Sequence, residues 1–599
     1  MPERRRGREV CRRPSKPEGR SRRPISFGNI SGCKIPRVEA EMKPILYALL
    51  GLLAAPFTLG QTAPRNALAG TQKQNECSVA GMVVKLAGSE ALKSASVQLL
   101  NMDDHSRGAS TVTDAGGRFE LKGIDPGRYR LKVARTGFVT QEYGQRTPND
   151  PGAVLKLSVG QSMRDLLFRL IPWGVIAGRV INEEGEPLPW AQVSALREVY
   201  TRGKRTLYTE TTVPTNDLGE YRLFGLRPGR YFVSAKYGPG EHLIGKESVA
   251  ETEEDSGPQG YMPTFYPGGL DPTKAVALAI KAGEEIPSVE ILLRPVEVFK
   301  IKGRVYSMLS RRSWDTTSLS LEQRGGGLQA GIPVRQALVD KPDGPFTIAD
   351  VLPGAYTLIA YSYEDGRAYQ ARQNIDVGNA DLEGVVITIA PAVAVSGRVI
   401  WEGPPSVEHD PLVIVLNGAD TTHAFGSKAR VTPQGSFTLY EVFEGPYRLG
   451  IAGQSKDCFV KTVRYGATDG LEGGFNVVRG ANAQLEVTIS SKGAHVQGTV
   501  TDADDLPAVG MWVVIVPDEA HRGQSRFYKA TTTDQNGHFD LRGIAPGDYK
   551  LFSWEEAETG AWEDPDFLKL FEIKGVSISL KEGDQKSESL VTIRTKSQE

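Results

Sequence analysis

From about residue 77 onward, apolar and polar positions alternate in short runs separated by Gly, Pro, Asp and Asn. Alternation with period two marks half-buried strands, and the residues between mark turns. One run recurs five times. In the first copy Asp114 and Gly117 precede Phe119 and Leu121, then Pro126 and Gly127, then Tyr129, Leu131 and Val133. The others run from Gly219 through Tyr221 and Leu223 to Tyr231, from Gly344 through Phe346 and Ile348 to Tyr356, from Gly435 through Phe437 and Leu439 to Tyr447, and from Gly537 through Phe539 and Leu541 to Tyr549. The Gly in each copy ends a tight turn that needs a positive φ. The two alternating stretches predict a β-hairpin joined by a Pro-Gly turn. The five tyrosines are expected to be structural, each ring in the core and each hydroxyl bonded to backbone near a turn, as in the tyrosine corner of sandwich domains.

More strands flank this unit. Upstream of each turn lies a Gly-x-Val step: Gly81 to Val83, Gly178 to Val180, Gly303 to Val305, Gly397 to Val399 and Gly498 to Val500. It reads as an opening strand. In two copies a Pro-containing turn and another strand follow, as in Pro187-Leu188-Pro189-Trp190-Ala191 and Pro507 to Val513. A closing strand alternates at Leu166, Phe168 and Leu170; at Val289, Ile291 and Leu293; at Val385, Ile387 and Ile389; at Leu485, Val487 and Ile489; and at Ser589, Val591 and Ile593. About seven short strands per ~100 residues indicate a β-sandwich. The expected fold class is all-β: about five tandem seven-stranded β-sandwich domains after an N-terminal signal peptide. The expected boundaries are 77–171, 172–297, 298–392, 393–491 and 492–599. Short connections between them suggest a semi-rigid rod.

The Gly-x-Val strand, the Pro-Leu-x-x-Ala step, Asp-x-x-Gly-x-Phe and Pro-Gly-x-Tyr together resemble the carboxypeptidase regulatory-like domain. Relatives of that domain include transthyretin-like, collagen-adhesin B-type and starch-binding-like sandwiches. The second and fifth copies match best; the third and fourth lack the Pro-Leu step, and the fourth reverses the turn to Gly445-Pro446. The resemblance covers nearly all of residues 77–599. It implies an accessory module of secreted bacterial proteins and leaves the function open.

The first residues read differently. Residues 1–41 are Arg-rich and have no apolar period, so they form a basic leader: either a wrongly assigned start or a long n-region. Met42-Lys43 then opens an uncharged run whose apolar core, Ile45 to Leu59, has the length of a signal-peptide h-region and is short for a membrane span. Residues 42–60 are therefore expected to be a signal peptide and 61–76 a linker. Residues 1–60 carry 13 Lys+Arg and 5 Asp+Glu, which leaves 58 basic and 67 acidic side chains, a net −9. That balance argues against nucleic acid as a partner. No later apolar stretch reaches membrane-spanning length. Only Cys77 and Cys458 lie beyond the leader, several domains apart, and their spacing suits neither zinc nor a local disulfide.

The resemblance invites a search for a zinc peptidase. None of the seven His has Glu three residues later, so the metal pair of such an enzyme is missing from the sequence. Gly-x-Ser-x-Gly and the phosphate-binding loop are also absent, and Gly325-Gly326-Gly327 reads as a loop. The Asp502, Asp504 and Asp505 cluster, and the turn at Asp534, read as turns over calcium sites. No catalytic residue, metal ligand or cofactor is expected. Exposed aromatics remain as candidates for ligand contact, because sugars stack on ring faces. The candidates are Tyr261, Phe265 and Tyr266 in a Pro/Gly-rich segment, and Trp554 and Trp562 in an acidic loop. The competing reading packs these rings on their own sandwich or on the next. The expected function is a non-catalytic secreted scaffold or surface-interaction protein, located in the periplasm, at the cell surface or outside the cell, with polysaccharide or envelope proteins as partners. The alternatives are a carbohydrate-binding protein using these aromatics and an accessory subunit of a peptidase or glycan-degrading system.

Overall fold

The computed structural model describes residues 76–104, 106–237, 259–308, 316–324, 333–339, 344–364, 367–404, 411–418 and 427–595. The basic leader, the signal peptide, nearly all of the linker and Gly325 to Gly327 lie outside them. The described chain is nearly all β, with one short α-helix at Pro565–Lys569. It forms tandem β-sandwiches, each with its own buried cluster of alternating side chains.

The first sandwich shows the plan. Its opening strand Cys77–Lys85 lies between Arg118–Ile124, antiparallel, and the closing strand Ser162–Leu170, parallel. The facing sheet is built on Ser96–Asn101, which pairs with Gly108–Val112 and with Gly127–Ala134. The second sandwich repeats this with Gly174–Ile181 between Glu220–Leu226 and Glu285–Leu292, and the fifth with Ala494–Thr501 between His538–Ile544 and Gln585–Val591. In the third, Arg367–Val377 also pairs with Leu382–Pro391, so that seven strands form one continuous sheet.

The expected hairpin is corrected by this pairing. The Phe-bearing and Tyr-bearing strands do not pair: they lie in different sheets in four copies and have three strands between them in the continuous sheet of the third, and the turn carries the chain across the core from one to the other. The tyrosine clips that corner. Its hydroxyl donates to the carbonyl four residues upstream in three copies: Tyr129 to Asp125 at 2.8 Å, Tyr356 to Leu352 at 2.9 Å and Tyr549 to Ala545 at 2.8 Å. Tyr447 accepts from the N–H of Phe443 at 3.1 Å, and Tyr231 is hydrogen-bonded to the backbone of Arg227.

The two sequence motifs are bonded to each other in all five copies. The Val of each Gly-x-Val step donates its N–H to the carbonyl of the turn glycine: Val83 to Gly117, Val180 to Gly219, Val305 to Gly344, Val399 to Gly435 and Val500 to Gly537, at 2.7–3.0 Å. The opening glycine lets the closing strand approach. A Cβ on Gly81, Gly178, Gly303, Gly397 or Gly498 would lie 1.8–2.3 Å from a closing-strand carbonyl oxygen.

One register differs from expectation. In the fifth sandwich Leu590 is buried and Val591 is 61% exposed. The first three closing strands carry a bulge at Asp165, Ser288 or Gly384, each at positive φ. The fifth pairs straight from His495 to Thr501, and a one-residue offset exchanges the faces.

The expected rod is also corrected, because the first and fifth sandwiches touch. Trp512 donates its indole N–H to Asp150 at 3.3 Å, Thr532 donates to the Gly152 carbonyl at 3.0 Å, and the Gln535 side chain bonds both backbone groups of Lys156. The Tyr200 and Gly203 tip of the second sandwich packs on Gly560 and Glu563 of the fifth. Cys77 and Cys458 are both buried, and the Cys77 thiol donates to the Ser158 carbonyl at 3.0 Å.

Candidate functional site

Three of the five candidate aromatics are core residues. Phe265 is 1% exposed, among Leu196 and Leu207. Trp554 is 0% exposed and stacked on Phe552 at 4.9 Å; Trp562 is 5% exposed, against Trp512 at 4.8 Å. These two belong to a second apolar cluster of the fifth sandwich with Leu568 and Ile593. Burying such large rings removes more apolar surface from water than any other side chain can, and they present no face to a ligand. Tyr261 and Tyr266 are half-buried against the core of the second sandwich, with Tyr261 edge-on to Tyr237 at 5.6 Å.

The exposed aromatics lie elsewhere on the second sandwich. Tyr221 and Leu223 point inward, so the pleat turns Phe224 outward, where it is 63% exposed. Trp190 stands across from it, 56% exposed, at φ +66. The matching turn positions are Ser94 in the first sandwich and Gly510 in the fifth, also at positive φ. A bulky residue is a costly occupant of that conformation.

The turn is held in place by Thr215, which is buried. Its hydroxyl donates to the Leu188 carbonyl at 2.6 Å and accepts from the Ala191 N–H at 2.9 Å, while the Trp190 N–H donates to the Thr215 carbonyl at 3.2 Å. Thr113 and Thr533 make the same pair of hydroxyl bonds in their own sandwiches. This threonine, just before each Asp/Asn turn, is a repeat element that the hydrophobic pattern does not mark. Asn216 closes the adjoining turn by accepting from the N–H groups of Leu218 and Glu220.

Between these walls lies a groove of about 1150 Å³ across the outer face of the three-stranded sheet, floored by Ala177, Arg179, Arg222, Ser288 and Glu290. Arg222 is paired with Glu285 at 3.2 Å, and Arg179 donates to the Leu218 carbonyl at 2.9 Å. The groove therefore combines two ring faces with fixed polar groups of both signs. Among the described residues no His, Cys, Asp and Glu gather as a metal set. Asp502 and Asp534 each accept backbone N–H bonds within their own turns. No helix among the described residues is long and apolar enough to cross a membrane.

Comparison with known proteins finds similarity to β-sandwich proteins. Solved structures similar to the chain include the TIE protein of Bacillus anthracis, at 14% identity and TM-score 0.15, covering 53% of this chain and 51% of that one. The chain thus spans about half the length of that protein. GBS52, the minor pilin of Streptococcus agalactiae, matches at 11% identity and TM-score 0.21, covering 37% of this chain and 96% of the pilin. Two B repeat units of the collagen binding protein of Staphylococcus aureus match at 10% identity and TM-score 0.12, covering 69% of this chain and 99% of that one. No curated protein matches the sequence. Residues 78–162 match the family model of the carboxypeptidase regulatory-like domain, so the first sandwich is similar to that domain.

Proposed function

We propose that the chain works by binding, as a non-catalytic surface or scaffold protein, and that the groove of the second sandwich is a ligand face for polysaccharide. The observation that carries this reading is Trp190. A left-handed position that Ser94 and Gly510 occupy in sibling domains here holds an exposed tryptophan that lines the groove with Phe224. Strain kept at an exposed aromatic points to use, and ring faces beside fixed polar groups suit the apolar face and the hydroxyls of a sugar. The apolar run Ile45 to Leu59 supports export as part of the same reading.

Retention on a panel of immobilised polysaccharides tests it. Trp190→Ala and Phe224→Ala should each weaken retention, and together abolish it, with the melting temperature within a few degrees of the parent. Full retention by the double variant overturns the assignment of the groove. Lack of retention by the parent on every polysaccharide overturns the ligand class.

A further inference from the structure

Where the second, fourth and fifth sandwiches meet there is a second cavity, of about 410 Å³. Its apolar wall comes from the fourth sandwich, through Leu449, Ile451, Val460, Val463 and Leu471. Its opposite wall is the segment Gln524 to Lys529 of the fifth, and Arg202 and Arg448, both exposed, stand at its edge. The cavity holds four cationic side chains and one carboxylate, Glu472, whose Oε1 lies 3.9 Å from His521.

Two polar atoms in this lining are unsatisfied. Arg526 donates from Nε to Gln524 at 3.0 Å and lies over the Phe527 ring at 4.3 Å, but its buried Nη2 has no hydrogen-bond partner. Gln454 Oε1 is likewise buried without a partner. Among the described residues no carboxylate pairs with the Lys529 ammonium either. Unpaired buried polar groups are costly, and charged ones more so, unless something occupies the site. Desolvation lowers the pKa of Lys529, and burial lowers that of Arg526.

We infer that this cavity binds an organic carboxylate with an apolar body and a neighbouring N–H, the chemistry shared by N-acylated apolar amino acids and by the C-terminus of a peptide. The carboxylate accepts from Arg526 Nη2 and the Lys529 ammonium, the N–H donates to Gln454 Oε1, and the apolar body lies on the wall of Leu449, Ile451 and Val460. This site is separate from the groove of the second sandwich, and neither reading depends on the other.

Calorimetric titration of the full chain with N-acetyl-leucine, N-acetyl-leucinamide, the tripeptide N-acetyl-Ala-Ala-Leu and inorganic phosphate tests the inference. The acid should bind saturably and the amide at least about tenfold more weakly, a difference of ~1.4 kcal/mol. The tripeptide binding more tightly than the single residue identifies a peptide end, and the reverse identifies a small acylated acid; either outcome upholds the class. Lys529→Met should weaken binding of the acid about tenfold or more without lowering the melting temperature, because it removes a desolvated, unpaired charge. Gln454→Glu, which sets a like charge beside the ligand carboxylate, should abolish binding and serves if Lys529→Met does not fold. Equal affinity for acid and amide, binding unaffected by these variants, saturable binding of phosphate alone, or no binding of any probe would overturn it.

Discussion

The repeated tyrosine does two jobs with one side chain. Tyr549 is 4% exposed and its hydroxyl reaches the Ala545 carbonyl at the corner where the chain changes sheets. Tyr549→Ala should cost ~3–5 kcal/mol, as for other large aromatic deletions. Tyr549→Phe keeps the ring and should cost only ~0.5–1.5 kcal/mol, the net worth of a hydrogen bond; denaturant melts of the two variants separate the contributions. The five phenols also share a pH signature. Burial is the first cause in each case, and it raises every one of their pKa values above the ordinary 10.0. A phenol whose folded pKa is raised contributes stability that is fully present below pH 10 and is lost as pH rises above it, because the unfolded chain then releases the proton more readily. Absorbance titration of tyrosinate should therefore show a class that ionises only together with unfolding. Smooth ionisation of all tyrosines near the ordinary value, with the fold intact, would contradict their burial.

At the scale of the element, the opening strand depends on its glycine. Gly498 sits between the Phe539 ring and the closing strand, and a Cβ there would lie 1.8 Å from the Glu588 carbonyl oxygen. Gly498→Ala should destabilise the fifth sandwich by ~1–3 kcal/mol through overpacking. Gly185→Ala, in an open turn at φ +78, is its control: it tests backbone strain without a clash. These elements were largely legible in the sequence. The Gly-x-Val steps, the turn glycines and the Phe and Tyr strands all stand where alternation puts them, because period two reports which face of a strand is buried. It does not report which strand lies alongside. A corner and a hairpin therefore share one pattern, and the bulges at Asp165 and Ser288, whose absence from the fifth copy turns Leu590 inward, leave no mark in it. The candidate site was legible in a different way. Phe224 stands at the polar phase of its strand, which marks an exposed ring, and the acidic surroundings of Trp554 and Trp562 suggest the same of them. Those two sit in an acidic stretch, where local polarity hides burial supplied by Phe552, Trp512 and Leu568.

At the scale of the whole molecule, the contact between the first and fifth sandwiches separates the observed arrangement from a rod. Asp150 is 7% exposed and its carboxylate accepts from Thr147 on one oxygen and from the Trp512 indole on the other. Gln535 lies at the tip of the repeated turn and bonds to the edge strand Leu155–Leu157, covering a sheet edge that would otherwise be open. Contacts between domains of one chain resemble transient interfaces and are individually weak. A covalent tether favours them by keeping the local concentration of the partner high. The combined variant Trp512→Phe and Gln535→Ala removes the indole donor and both amide bonds while leaving the two cores in place. One oxygen of a buried carboxylate then loses its partner, at ~1–3 kcal/mol. Small-angle scattering should show a larger radius of gyration for the variant, and hydrogen exchange should speed up at residues 150–157 and 530–535 while the core strands of both sandwiches stay protected. In a rod these side chains already face water, so neither measurement would change; an unchanged radius together with unchanged exchange would return the molecule to that arrangement.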